Sequence, residues 1–140
     1  MHSSKPILLV EDDSVDVMTV KRALKDLNVS NPLVPAGDGE EALAYLRDRG
    51  TPRPCVILLD LNMPKMSGTE FLKTVKADEA LRMIPVIVLT TSTTEQDIAR
   101  SFELGAAGYM VKSIDYDKFI DTIKAIDLYW KQSKLPPNGE

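Results

Sequence analysis

Histidine, cysteine and long apolar runs are all scarce in this chain of 140 residues. His2 is the only histidine and lies at the extreme start, so histidine-based acid–base catalysis and histidine-rich metal sites have no basis here. Cys55 is the only cysteine, which rules out an internal disulfide. It opens the apolar run Cys55-Val56-Ile57-Leu58-Leu59 and reads as a small buried thiol. No apolar stretch approaches the roughly 20 residues needed to cross a bilayer. Met1-His2-Ser3-Ser4-Lys5 contains no apolar segment of the secretory kind, so a cytoplasmic location is expected, with no membrane contact. Basic charge is also short: 17 Lys and Arg against 21 Asp and Glu give a net charge of −4, which argues against a nucleic-acid surface.

What is present suits one soluble domain. Hydrophobic residues make up 44% of the chain, enough for a single core at this length. Strand-like and helix-like segments alternate throughout. Ile7-Leu8-Leu9-Val10 is a short branched run ending in Glu11-Asp12-Asp13. Helical spacing follows at Val17, Val20, Leu24 and Leu27, with Asp13 or Ser14 as cap. Leu33-Val34-Pro35-Ala36 is a weak strand that Pro35 places near a sheet edge. A helix carrying Ala42, Leu43 and Leu46 follows Gly37-Asp38-Gly39, and Gly50 to Pro54 is a loop.

Val56-Ile57-Leu58-Leu59 is apolar at every position, as a strand covered on both faces requires, and Asp60 ends it. Then come a helix with Phe71, Leu72 and Val75, a strand Pro85–Leu89, and a helix through Ile98 and Phe102 that stops at Gly105. A strand Ala107–Val111 ends at Lys112, and the last helix carries Phe119, Ile123, Ile126 and Trp130. Five β-α units with short connections predict an α/β fold: a doubly wound five-stranded parallel sheet with helices on both faces. The expected organisation is one domain over 1–140, with a core at about 5–130 and a C-terminal tail at 131–140.

Polar residues stand just past the strands: Glu11 and Asp12 after the first, Asp60 after the third, Thr90 after the fourth and Lys112 after the fifth. A parallel sheet gathers such ends along one edge, where open α/β folds bind ligands. Three clustered acids repel one another unless a cation joins them, and oxygen-only ligands suit Mg²⁺. Asp12, Asp60 and a backbone carbonyl would hold the ion. Asp60 would then be the carboxylate nucleophile toward phosphorus, with Lys112 supplying charge and Thr90 a hydroxyl to the phosphoryl oxygens.

The segments Ile7-Leu8-Leu9-Val10-Glu11-Asp12-Asp13, Leu58-Leu59-Asp60-Leu61-Asn62-Met63-Pro64, Val88-Leu89-Thr90 and Gly108-Tyr109-Met110-Val111-Lys112 resemble response-regulator receiver domains of the CheY-like, flavodoxin-like (βα)5 type. The resemblance spans about residues 5 to 130. It implies a single-domain switch of a two-component phosphorelay, phosphorylated on Asp60 by a sensor histidine kinase in a Mg²⁺-dependent reaction. It further implies Glu11 and Asp12 as the acidic pair, the Asn62 backbone carbonyl as a metal ligand, and Thr90 and Tyr109 as the switch pair. No enzymatic turnover is expected beyond self-phosphorylation from a phosphodonor and self-dephosphorylation. The long loop before Cys55, Lys112-Ser113 in place of Lys-Pro, and Ile126-Asp127-Leu128-Tyr129-Trp130 are similar to small receivers paired with phytochrome-type kinases. With serine at 113, the Lys112–Ser113 peptide is expected to be trans.

Two rival chemistries use related layouts. A phosphatase of the haloacid-dehalogenase type needs an acid two residues past its nucleophile, and here that residue is Asn62. A flavodoxin-like flavin binder needs a phosphate loop after the first strand that Glu11-Asp12-Asp13 would repel. Plainer roles suit other residues: Thr93 and Thr94 as loop and cap, Lys65 as a solvated side chain. Leu128 and Tyr129 project about 160° and 100° away from Trp130 on a helix of 3.6 residues per turn, outside the core stripe. They and the family pattern point to a homodimer through the fourth helix, fifth strand and fifth helix, unless Leu135-Pro136-Pro137 folds back over them.

Overall fold

A computed structural model describes residues 5–132, with side chains described as far as Leu128. Five strands alternate with five helices: β1 Ile7–Val10, α1 Ser14–Asp26, β2 Leu33–Ala36, α2 Gly39–Arg47, β3 Val56–Leu59, α3 Gly68–Ala77, β4 Val86–Thr90, α4 Glu95–Glu103, β5 Gly108–Val111 and α5 Tyr116–Gln132. The strands form one parallel sheet in the order β2-β1-β3-β4-β5. Pro35 sits in the edge strand β2, where its missing N–H breaks no central ladder. The expected strands at Pro85 and Ala107 each begin one residue later.

Strand alternation sorts the core onto two faces. Leu8, Val10, Ile57, Leu59, Val86 and Val88 pack with Ala42, Leu43 and Leu46 of α2 and Phe71, Leu72 and Val75 of α3. Ile7, Leu9, Val56, Leu58, Ile87 and Leu89 pack with Val20, Ala23 and Leu24 of α1 and Phe119, Ile123 and Ile126 of α5. The three central strands therefore need apolar residues along both faces, which is the pattern they have apart from Thr90 at the end of β4. This is the doubly wound fold that the β-α alternation predicts.

Local chemistry fixes the helix starts. Asp13 caps α1 by accepting from the Val15 and Asp16 amides, and Asp38 caps α2 through the Glu41 amide. Ser67 and Glu70 form a reciprocal capping box at α3, and Thr94 caps α4. Gly105, at φ +105°, ends the α4 turn in a backbone region that suits glycine. α4 departs from the sequence expectation: Phe102 is half exposed, and Ser101 is its buried residue. Every described peptide bond is trans, Lys112–Ser113 included. α5 runs to Gln132, two residues into the expected tail; Leu135-Pro136-Pro137 and the Trp130 and Tyr129 side chains lie outside the described residues.

Candidate functional site

The carboxyl ends of β1, β3, β4 and β5 meet at one edge of the sheet, and the backbone ties them together there. The Glu11 amide donates to the Ala36 carbonyl at 2.9 Å, the Asp60 amide to Val10 at 3.0 Å and the Lys112 amide to Thr90 at 2.8 Å. Residues far apart in sequence are thus seated side by side immediately beyond their strands.

Glu11, Asp12 and Asp60 each offer a carboxylate oxygen, and these oxygens all lie within 4.8 Å of one another. Glu11 and Asp60 are buried and Asp12 is exposed, so the cluster opens to solvent on one side. Burial pushes the Glu11 carboxyl up to about 7; the Lys112 hydrogen bond and charge pull it down, and the Asp60 charge pushes it further up. Three crowded acids of this kind, with oxygen donors only, fit a hard divalent cation that would neutralise them.

Lys112 reaches into the same cluster. Its Nζ donates to Glu11 Oε1 at 2.5 Å and to Asp16 Oδ2 at 2.9 Å, and stands 3.6 Å from Asp60 Oδ2. Burial opposes its charge, but the bonds to Glu11 and Asp16, with the charges of Asp60 and Glu11, hold its pKa above the ordinary lysine value.

Thr90 is fully buried at the end of β4, and its Oγ1 accepts from the Ser92 amide at 3.4 Å. Tyr109 is partly buried against the α2–α3 side of the core, and its hydroxyl donates to the Ser92 carbonyl at 2.9 Å. The loop that leaves Thr90 is therefore the segment that Tyr109 holds. Beyond Asp60, the Asn62 amide donates to Asp60 Oδ1 at 3.3 Å. Lys65 is largely exposed and lies 3.7 Å from Asp38, in keeping with a solvated role.

The structure brings Glu11, Asp12, Asp60 and Lys112 together, with Thr90 at the neighbouring strand end and the Tyr109 hydroxyl, reaching from β5, on the loop beyond it. Sequence reasoning missed Asp16, Gly68 and Ser92. A Cβ at Gly68 would lie 2.6 Å from Leu61 Cα and closer still to the Asp60 carbonyl oxygen, so only glycine lets α3 start against the Asp60 loop. Its signal was present, a glycine immediately after Ser67 at a helix start. Asp16 had no signal beyond its place in the first turn of a helix.

A family model for the response regulator receiver domain matches residues 7–124. The chain belongs to the response-regulator receiver family. It is 39% identical over 137 residues to the response regulator Rcp1 of Synechocystis sp., covering 95% of this chain and 93% of that protein. It is 32% identical to the polar-differentiation response regulator DivK of Brucella anthropi, over 86% of this chain and 94% of that one. Among solved structures, the phosphorylated cyanobacterial phytochrome response regulator RcpA superposes with a TM-score of 0.89 at 40% identity, covering 96% of this chain and 99% of that chain. The Mn²⁺-bound form of Rcp1 gives 0.86 at 39% identity, with 94% and 99% covered.

This receiver is accordingly a signalling switch of the two-component type, homologous to phytochrome response regulators. Its acidic pocket suits a divalent metal beside an aspartate that can be phosphorylated. No helix among the described residues is long and apolar enough to cross a membrane.

Proposed function

We propose that this receiver accepts a phosphoryl group on Asp60 from a phytochrome-type sensor histidine kinase, in a Mg²⁺-dependent reaction. The observation that carries the reading is the meeting of the Glu11, Asp12 and Asp60 carboxylates within 4.8 Å, with Lys112 Nζ 3.6 Å from Asp60. The ion would be held by Asp12 and Asp60, with Glu11 beside them and the Asn62 backbone carbonyl as a further ligand. Bound there, Mg²⁺ would neutralise charge on the carboxylates and on the transferred phosphoryl oxygens. Asp60 is the nucleophile: one carboxylate oxygen bonds to phosphorus as the donor's bond to phosphorus breaks. Lys112 and the Thr90 hydroxyl then pair with phosphoryl oxygens. Thr90 moving toward that group shifts the Ser92 loop, and with it the contact that Tyr109 makes there.

The same chemistry accounts for self-phosphorylation from a small phosphodonor and for self-dephosphorylation, with no other enzymatic turnover. The whole chain, 1–140, acts as one domain in the cytoplasm, with the core at about 5–130 followed by a tail. Its signal leaves by protein–protein contact, as a homodimer formed through α4, β5 and α5. Phe102 on α4, Val111 on β5 and Leu128 on α5 are all exposed large apolar residues, one from each element of that face.

Intact-mass measurement after incubation with acetyl phosphate and Mg²⁺ tests the assignment. The wild type should gain one phosphoryl mass and Asp60→Asn none. An undiminished adduct on the variant would place the chemistry elsewhere.

A further inference from the structure

Lys112 has a partner that the acidic cluster does not account for. Of the three carboxylates around its Nζ, Glu11 and Asp60 belong to the cluster that can hold a cation, and Asp16 does not. Asp16 lies in the first turn of α1, behind the Asp13 cap. Its side chain is 39% exposed against 10% for Lys112, so a rim carboxylate grips an almost buried ammonium. An ammonium has three N–H donors. Two are engaged by Glu11 and Asp16, and at 3.6 Å Asp60 is beyond hydrogen-bond reach.

We infer that Asp16 is a positioning residue that competes with the phosphoryl group for the Lys112 ammonium, and so weakens the hold of the site on a phosphoryl-like anion. The inference rests on the reading of Asp60 as phosphoacceptor. A cation on Glu11, Asp12 and Asp60 draws the charge of those carboxylates away from Lys112. Asp16 lies outside that set, and its charge stays directed at the ammonium when an anion arrives. Nζ stands 2.9 Å from Asp16 Oδ2 and 3.6 Å from Asp60 Oδ2, so an anion on Asp60 has to draw the ammonium against the bond that Asp16 already holds. Glu11 is buried and fixed beside Lys112, so the ammonium remains in the site when Asp16 is neutralised.

Beryllium fluoride titration at saturating Mg²⁺, followed by ¹⁹F NMR of the bound fluorides, tests the inference. Asp16→Asn should bind roughly two- to fivefold more tightly than wild type, the range expected for losing a partly exposed ion pair. Asp13→Asn is the control: it removes a charge from the same helix turn, makes no bond to Lys112, and asparagine caps a helix as well as aspartate does. The control should bind like wild type. Damage to α1 would weaken binding, so a gain in affinity cannot come from a purely structural loss. Unchanged or weaker binding by Asp16→Asn overturns the inference, and so does an equal gain in Asp13→Asn, which would mark a general field effect. A wild type that forms no adduct, or an Asp60→Asn variant that forms one equally well, overturns the phosphoacceptor reading and this inference with it.

Discussion

At Asp60 and Glu11, carboxylates that water would stabilise are instead buried at 7% and 4% exposure, and their charge is balanced by neighbours. Burying an ion is costly unless it is paired, so the pairing with Lys112 and the proposed cation are conditions for this site to exist as drawn. Within the acidic run, Asp12 points into the cluster while Asp13 is occupied as the α1 cap. Mg²⁺ titration should therefore separate them. Loss of a direct ligand should cost at least as much as loss of a supporting partner, about 10- to 100-fold for Asp12→Asn. Asp13→Asn should largely keep the wild-type affinity, and equal losses would contradict the placement. Cys55 illustrates the opposite use of burial. Its thiol is pushed up to about 12 by desolvation, against hydrogen bonds from the Cys55 and Val56 backbone. The unfolded thiol ionises near 9, so its contribution to stability is present below that pH and is lost as pH rises toward about 12. A disulfide-exchange thiol reagent at pH 8 should label the native protein slowly and the guanidinium-unfolded protein rapidly.

Among the elements, the helices differ in how firmly they are anchored. α3 has a capping box at its start and the Lys76 ammonium near its end, which donates to the Arg82 and Ile84 carbonyls at 2.8 Å each. Phe71, Leu72 and Val75 of α3 are fully buried. α4 buries only Ser101 among its residues, and its first turn is tied to the Ser92 loop through the Thr94 cap and a Ser92–Asp97 hydrogen bond of 2.5 Å. An element with so little buried apolar surface is easier to displace than one packed like α3. This matches the proposed Thr90–Tyr109 switch, which acts on the loop leading into α4. The Asp60 loop, by contrast, is pinned by Gly68. Gly68→Ala would drive a methyl into the Asp60–Leu61 backbone, an overpacking that costs about 1–3 kcal/mol. Urea unfolding should show that loss, and beryllium fluoride uptake should fall because the backbone that must yield carries Asp60.

For the molecule as a whole, the strand order β2-β1-β3-β4-β5 puts β5 at an edge, where Val111 is left exposed. The exposure of Phe102, Val111 and Leu128 offers a surface that a second copy could cover; burying each such side chain is worth roughly 1.5–3 kcal/mol. Sedimentation velocity should show a dimer of the wild type at high micromolar concentration and a monomer for Phe102→Ser/Leu128→Ser. A wild type that stays monomeric with and without beryllium fluoride would remove the proposed homodimer.

The sequence by itself determined the element order, because three largely apolar strands and their intervening amphipathic helices are buried together as a parallel sheet layered between helices on both faces. It also determined Glu11, Asp12, Asp60, Thr90 and Lys112 as site candidates, since each stands at or just past the end of a strand and parallel strands share one carboxyl edge. Phe102 was misleading, because helical spacing shows which residues share a face but not how deeply that face is pressed into the core. Asp16 and Ser92 came only from the tertiary structure. Asp16 acquires its role by lying 2.9 Å from a lysine 96 positions away, and Ser92 by offering a backbone carbonyl, a group every residue has, to Tyr109. Such contacts depend on where helices and loops settle against the sheet, and no local pattern of residues encodes that distance.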